Sequence, residues 1–185
     1  MTKLDLKNIG NINHLAVPID QTELSLTSPA ISFFTDFTQT QPLIIESSVS
    51  AVDTVKLMKK THVRLKLVVN EQGDLVGIVS ADDLIERKIV QKLQKGDTRD
   101  ELSVTEFMTP RSGLQVLDYE AVKLSSIKKV IETLKNSGRH HCLVVDTNEN
   151  LIRGLFSVSD ISRKLKLNID IQNQPSFSTL ADHFD

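Results

Sequence analysis

The stretch LVVNEQGDLVGIVSADDL, from Leu67 to Leu84, decides the fold. LKLVV and LVGIVS are β-branched runs with the composition of strands, and Asn70-Glu71-Gln72-Gly73-Asp74 between them has that of a turn. After the second run comes Ser-x-x-Asp, then an apolar residue. The pattern occurs twice: LVVDTNENLIRGLFSVSDI runs from Leu143 to Ile161. Val68-Val69-Asn70 matches Val144-Val145-Asp146, Gly77 matches Gly154, Ser80 matches Ser157, and Asp83 matches Asp160. The offset grows from 76 to 77 residues across the turn, so one residue is inserted where insertions are tolerated.

Outward from this core, each copy extends to the same order, β-α-β-β-α. In the first, PLIIE suits a short strand, and Ser50 with Asp53 carries a capping-box signature opening a helix that holds Val55, Leu57 and Met58. A second helix is expected around Leu84, Ile85, Ile89 and Leu93. In the second copy, LQVL is a candidate strand. A helix follows within YEAVKLSSIKKVIETLKNSG, with Ile127, Val130, Ile131 and Leu134 on one face and Gly138 as its stop. The last helix includes Ile161, Leu165 and Leu167. The chain divides into an N-terminal arm (1–27), repeat 1 (28–95), a charged linker (96–103), repeat 2 (104–167) and a tail (168–185). The arms are expected on the surface or partly disordered. Units of about 60 residues bury little core alone, so the two are expected to pack together through their sheets.

The 185 residues carry a formal net charge of −2, and the densest basic stretch, LMKKTHVRLK, is interrupted at structural spacing. It reads as a solvated helix end entering a strand, so nucleic acid is not an expected partner. Cys142 is the single cysteine, in an apolar run, which excludes an intrachain disulfide framework and a thiolate metal cluster. No apolar run is long enough to span a membrane, and the N-terminus lacks a signal-peptide core. The expectation is a cytoplasmic protein. No Gly-rich phosphate loop, activated Ser or Cys arrangement, or metal-ligand spacing marks an enzyme.

The paired stretches resemble the signature of cystathionine-β-synthase (CBS) domains, and VTEFMTP, Val104 to Pro110, resembles the lead-in that commonly precedes one. Two in tandem, spanning residues 28–167, are similar to a CBS pair or Bateman module. The resemblance implies an α/β fold of two β-α-β-β-α repeats packed as a pseudo-symmetric pair. It implies regulatory binding of an adenosine-containing ligand (AMP, ADP, ATP or S-adenosylmethionine) in clefts between the repeats, with no catalytic cofactor. It also implies a homodimer and an unknown regulated protein. The alternative is a structural interaction module with empty clefts.

Ser-x-x-Asp alone is ordinary helix-start chemistry, a hydroxyl and a carboxylate satisfying the free N–H groups of the first turn. Ser50-x-x-Asp53 and Ser103-x-x-Glu106 have the same form with no ligand implied. A carboxylate so placed can also accept both hydroxyls of a ribose. The resemblance puts that role on Asp83 and Asp160, with Ser80 and Ser157 beside the sugar or phosphate. It puts phosphate contact on His140 and His141, or on Arg64 in the first copy. The bland reading of the His pair is a strand start with one ring outward and one half-buried. Adjacent strand residues point to opposite faces, so the pair chelates a metal poorly. Leu65 offers no donor where His141 has one, and Asp82 adds negative charge beside Asp83. These differences favour the cleft at Asp160, with affinity weakening as pH rises past about 6.5 if imidazolium holds the phosphate.

Overall fold

The computed structural model describes residues 24–93 and 98–171. Most of the expected N-terminal arm, linker residues 96 and 97 and the tail from 172 onward lie outside the described residues. The chain folds as α/β with two four-stranded sheets. Its strands are β1 (Thr35–Asp36), β2 (Ile44–Glu46), β3 (Leu65–Val69), β4 (Leu75–Ser80), β5 (Thr109–Pro110), β6 (Leu117–Asp118), β7 (His141–Asp146) and β8 (Leu151–Ser157). Its helices are α1 (Ala51–Thr61), α2 (Glu86–Lys92), α3 (Tyr119–Lys123), α4 (Ile127–Ser137) and α5 (Val158–Leu165). Among the described residues no helix is long and apolar enough to cross a membrane.

The two repeats form as their composition dictates. β2 pairs parallel with β3, and β3 pairs antiparallel with β4; β6, β7 and β8 do the same. The pairing register shifts at Val68/Val69 and again at the matching Val144/Val145. Gly73 takes φ 84° in the first turn, a left-handed position where a side chain is strained. Ile127, Val130, Ile131 and Leu134 are all buried, and Gly138 closes α4 in the left-handed conformation.

The fourth strand of each sheet comes from the other half of the chain. β1, in the part of repeat 1 ahead of β2, pairs with β8 of repeat 2. β5, in the part of repeat 2 ahead of β6, pairs with β4 of repeat 1. The exchange extends into both cores. Ala30 and Phe33 are buried with Ile131, Val144 and Phe156 of repeat 2. Val104 is buried with Met58, Val68 and Val79 of repeat 1. Matching backbone bonds tie each lead-in to the helix start of the opposite repeat: Ala30 N–H to Ser125 O (2.8 Å) and Ile127 N–H to Ser28 O (2.9 Å), against Val104 N–H to Val49 O (3.0 Å) and Ala51 N–H to Leu102 O (2.8 Å).

This crossing explains the repeated glycine. A Cβ on Gly154 would press into the carbonyl oxygen of Thr35 and the ring of Phe34. A Cβ on Gly77 would lie 2.6 Å from both the Thr109 carbonyl oxygen and the Met108 sulfur. The bare backbone lets the exchanged strand lie flat. A charge clamp fixes β1 beside Gly154. Arg153 donates to both carboxylate oxygens of Asp36 at 3.0 Å, and its guanidinium lies 4.6 Å from the centre of the Tyr119 ring.

Several local expectations are corrected. Ser80 caps no helix: residues 81–84 form a turn, and α2 begins at Glu86, so Leu84 and Ile85 precede it and Leu93 ends it. Leu117–Asp118 is the strand, at the end of LQVL rather than along it. Leu167 lies beyond α5, which Lys166 closes in the left-handed conformation. Half of the capping box at Ser50 forms: its hydroxyl accepts the Asp53 N–H, while the Asp53 carboxylate turns to Lys56.

Gly154→Val should lower stability by about 3 kcal/mol or prevent folding, because the clash is with backbone. An unchanged midpoint in urea would refute the crossing. The Arg153 guanidinium holds the Asp36 carboxyl well below the usual carboxylate range. A depressed acid stabilises the fold above its unfolded value of 3.8, and that contribution is lost as pH falls further. Asp36→Ala should therefore cost about 2 kcal/mol at pH 7, the deficit narrowing below pH 4, as urea titrations at several pH values would read.

Candidate functional site

The crossing leaves two clefts between the repeats, each walled by both. The first, about 330 Å³, is centred on Asp160. Repeat 2 supplies His141, Leu155, Ser157, Ser159, Asp160 and Arg163. The opposite wall comes from β1 and the loop after it (Thr35, Phe37, Gln41, Leu43) and from His62 through Leu65 with Leu67. The second, about 590 Å³, is centred on Asp83. It sets Ile78, Ser80, Asp82 and Asp83 of repeat 1, with Thr109 of β5, against Gly138 through His141. Arg64, Leu65, His141 and Ser159 line both clefts.

The two Ser-x-x-Asp segments are alike in sequence and different in use. Ser157 caps α5, its hydroxyl accepting the Asp160 N–H at 3.4 Å. The Asp160 carboxylate sits in the first turn of the helix and binds Arg163 at 3.1 Å, both partly in solvent. At the other site the carboxylate turns back on its own loop. Asp83 accepts the Ser80 N–H at 2.8 Å and the Ser80 hydroxyl at 2.6 Å on one oxygen, and Lys88 approaches the other at 3.5 Å. That closure replaces the helix start expected there. It leaves Asp83 with less acceptor capacity than Asp160 for an incoming diol.

The His pair falls where the bland reading put it: His140 is exposed and His141 half-buried. The residues leading into each central strand serve the opposite repeat's Ser-x-x-Asp. Arg139 and His140 therefore line the Asp83 cleft, and His62, Val63 and Arg64 line the Asp160 cleft. Assigning both His residues to the Asp160 cleft is corrected on that geometry; His141 alone reaches both. Burial, helped by His140 and Arg64, lowers the His141 pKa from 6.5 to about 4. The ring of the free protein is therefore neutral at pH 6 to 8, and the expected loss of affinity past about pH 6.5 does not follow from it. Arg64 donates to Asp82 at 2.8 Å, so the first repeat's cation and the extra carboxylate hold one another.

Sequence reasoning missed Phe37, Gln41 and Leu43 as site residues, because they stand in repeat 1 and wall the cleft of Asp160 in repeat 2. The signal was the second lead-in: VTEFMTP and the SFFTDF segment that ends at Phe37 stand in the same relation to the strands that follow them. With Val63, Leu65, Leu67 and Leu155, these residues give the Asp160 cleft an apolar side facing its carboxylate and hydroxyls. A third cavity, about 910 Å³, opens between α1 and α2, with Val55, Met58, Leu84 and Ile89 in its walls.

A family model described as CBS domain matches residues 34–89 and again 104–167. No curated protein is similar in sequence to the chain. Among solved structures, an uncharacterised conserved protein from Pyrococcus horikoshii is similar at 23% identity and TM-score 0.60, covering 80% of this chain and 98% of its own. A CBS domain pair solved in complex with 5′-methylthioadenosine and S-adenosyl-L-methionine is similar at 19% identity and TM-score 0.53, covering 75% and 95%. CBSX2 in complex with AMP is similar at 21% identity and TM-score 0.54, covering 74% and 94%. At these identities the likeness is one of fold.

Proposed function

The chain belongs to the CBS-domain family, and from that premise we propose that it is a cytoplasmic regulatory module taking an adenosine-containing ligand at Asp160. The observation that carries this is the composition of that cleft. Phe37, Leu43, Val63 and Leu155 offer an apolar slot to a planar base. Asp160 stands at a helix start among the hydroxyls of Ser157, Ser159 and Thr35, suited to a ribose. Arg64 and Arg163 supply positive charge for a phosphate. Its volume falls in the range of small-molecule sites, roughly 300–1,000 Å³. The AMP and S-adenosyl-L-methionine complexes of the similar structures support the ligand class.

The mechanism is a population shift. The walls come from both repeats, so a bound ligand favours the relative placement in which they fit it. A regulated protein then reads that placement. Entry of a ribose requires Arg163 to release Asp160, an exposed pair that is weak in water. The Asp83 cleft, tied up by its own contacts, fits the alternative reading of a structural surface.

Isothermal titration with AMP, ADP, ATP and S-adenosylmethionine tests the reading. We expect at least one to bind, and Asp160→Ala to weaken it at least tenfold by removing a bidentate charged acceptor. Silence from all four would overturn it. We also propose that a second copy of the chain packs on α1 and α2, where Leu57 and Val90 are exposed, together with Ile85 at the third cavity. Light scattering should give twice the 20.7 kDa chain mass, and Val90→Asp should return the monomer. A wild-type monomer at micromolar concentration would rule this out.

A further inference from the structure

Arg64 is the one side chain lining all three described cavities. It stands just before β3, where the two clefts meet, and donates to Asp82 at 2.8 Å. Both partners are about two-thirds exposed, so the pair is weak and easily exchanged. Asp82 lines the Asp83 cleft and is absent from the walls of the Asp160 cleft. The matching positions of the second repeat are His140 and Ser159, which form no such ion pair. Arg64 thus lines the Asp160 cleft while a carboxylate of the neighbouring cleft holds its guanidinium.

We propose that Asp82 sets the phosphate selectivity of the Asp160 cleft by competing for Arg64. This rests on the reading of that cleft as an adenosine site. A ligand phosphate there draws Arg64 away from Asp82, so binding is weakened by the energy of the pair it breaks. An adenosine ligand without phosphate makes no demand on Arg64 and is unaffected. The same exchange couples the clefts. With Arg64 on a phosphate, Asp82 loses its partner in the other cleft, and a second anion is disfavoured there.

The test is titration calorimetry of the wild type, Asp82→Asn, Arg64→Gln and the double variant, with AMP and with adenosine. Asp82→Asn should tighten AMP about threefold, up to about fivefold, the range of exposed ion pairs. Its adenosine affinity should match the wild type within a factor of two. Arg64→Gln should weaken AMP about tenfold, and in its background Asp82→Asn should no longer tighten AMP. If the gain survives without Arg64, Asp82 repels the phosphate directly and the competition is overturned. Equal shifts for AMP and adenosine, or no shift, also overturn it. If neither ligand binds any of the four proteins, this inference falls, and the adenosine reading falls with it when ADP, ATP and S-adenosylmethionine are silent as well.

Discussion

Two carbonyl oxygens laid over two glycines hold the architecture together. The Thr35 carbonyl oxygen lies too close to where a Cβ of Gly154 would be to admit one, and that of Thr109 lies 2.6 Å from where one of Gly77 would be. Neither repeat completes its sheet or its core from its own residues. Phe33 is 1% exposed inside repeat 2, and Val104 is fully buried inside repeat 1. Two segments that would be marginal alone thereby become one reciprocally anchored body. The Asp36–Arg153 clamp secures one crossing by charge, and among the described residues no matching ion pair joins β5 to β4. There Met108 is packed against the face of Gly77 instead.

The crossing also makes the clefts. A strand handed to the opposite sheet carries its following loop across, so Phe37 and Leu43 face Asp160 rather than Asp83. The same geometry sends Arg139 and His140 toward Asp83. No ligand can occupy either cleft without touching both repeats. Any dependence of one repeat's position on occupancy follows from that shared wall rather than from a dedicated hinge.

The repeat unit was legible because its signals are local. Strand composition, turn residues and the apolar face of α4 each sit within a few positions of one another. Gly77 and Gly154 were visible as matched residues, but their reason was not, since it lies in a contact over a hundred residues away for Gly154. The site was half legible. Asp160 and Ser157 stand where a helix start puts them, whereas Ser80 and Asp83, with the same letters, bond to each other and close a turn. Periodicity could not separate these outcomes, because the same two side chains can take either bond: the Ser157 hydroxyl accepts the Asp160 N–H, whereas the Asp83 carboxylate accepts the Ser80 N–H. His140, though not His141, falls outside the Asp160 cleft for a different reason. Sequence adjacency to β7 placed it near Asp160, while the pseudo-symmetric packing brings the residues ahead of each central strand to the opposite repeat.

The two copies have diverged in one direction. At each point of difference the first repeat spends its polar groups on itself. Asp83 accepts from Ser80, Asp82 accepts from Arg64, and Lys88 closes on Asp83. In the second repeat Ser159 replaces the extra carboxylate, and Asp160 binds a single exposed arginine on its own helix. Internal contacts of this kind compete with a ligand for the same acceptors, so a site that is satisfied in the free protein has less to gain from binding. The asymmetry in hydrogen bonding is therefore an asymmetry in binding capacity. It points to one sensing cleft supported by a second that shares its walls and its arginine.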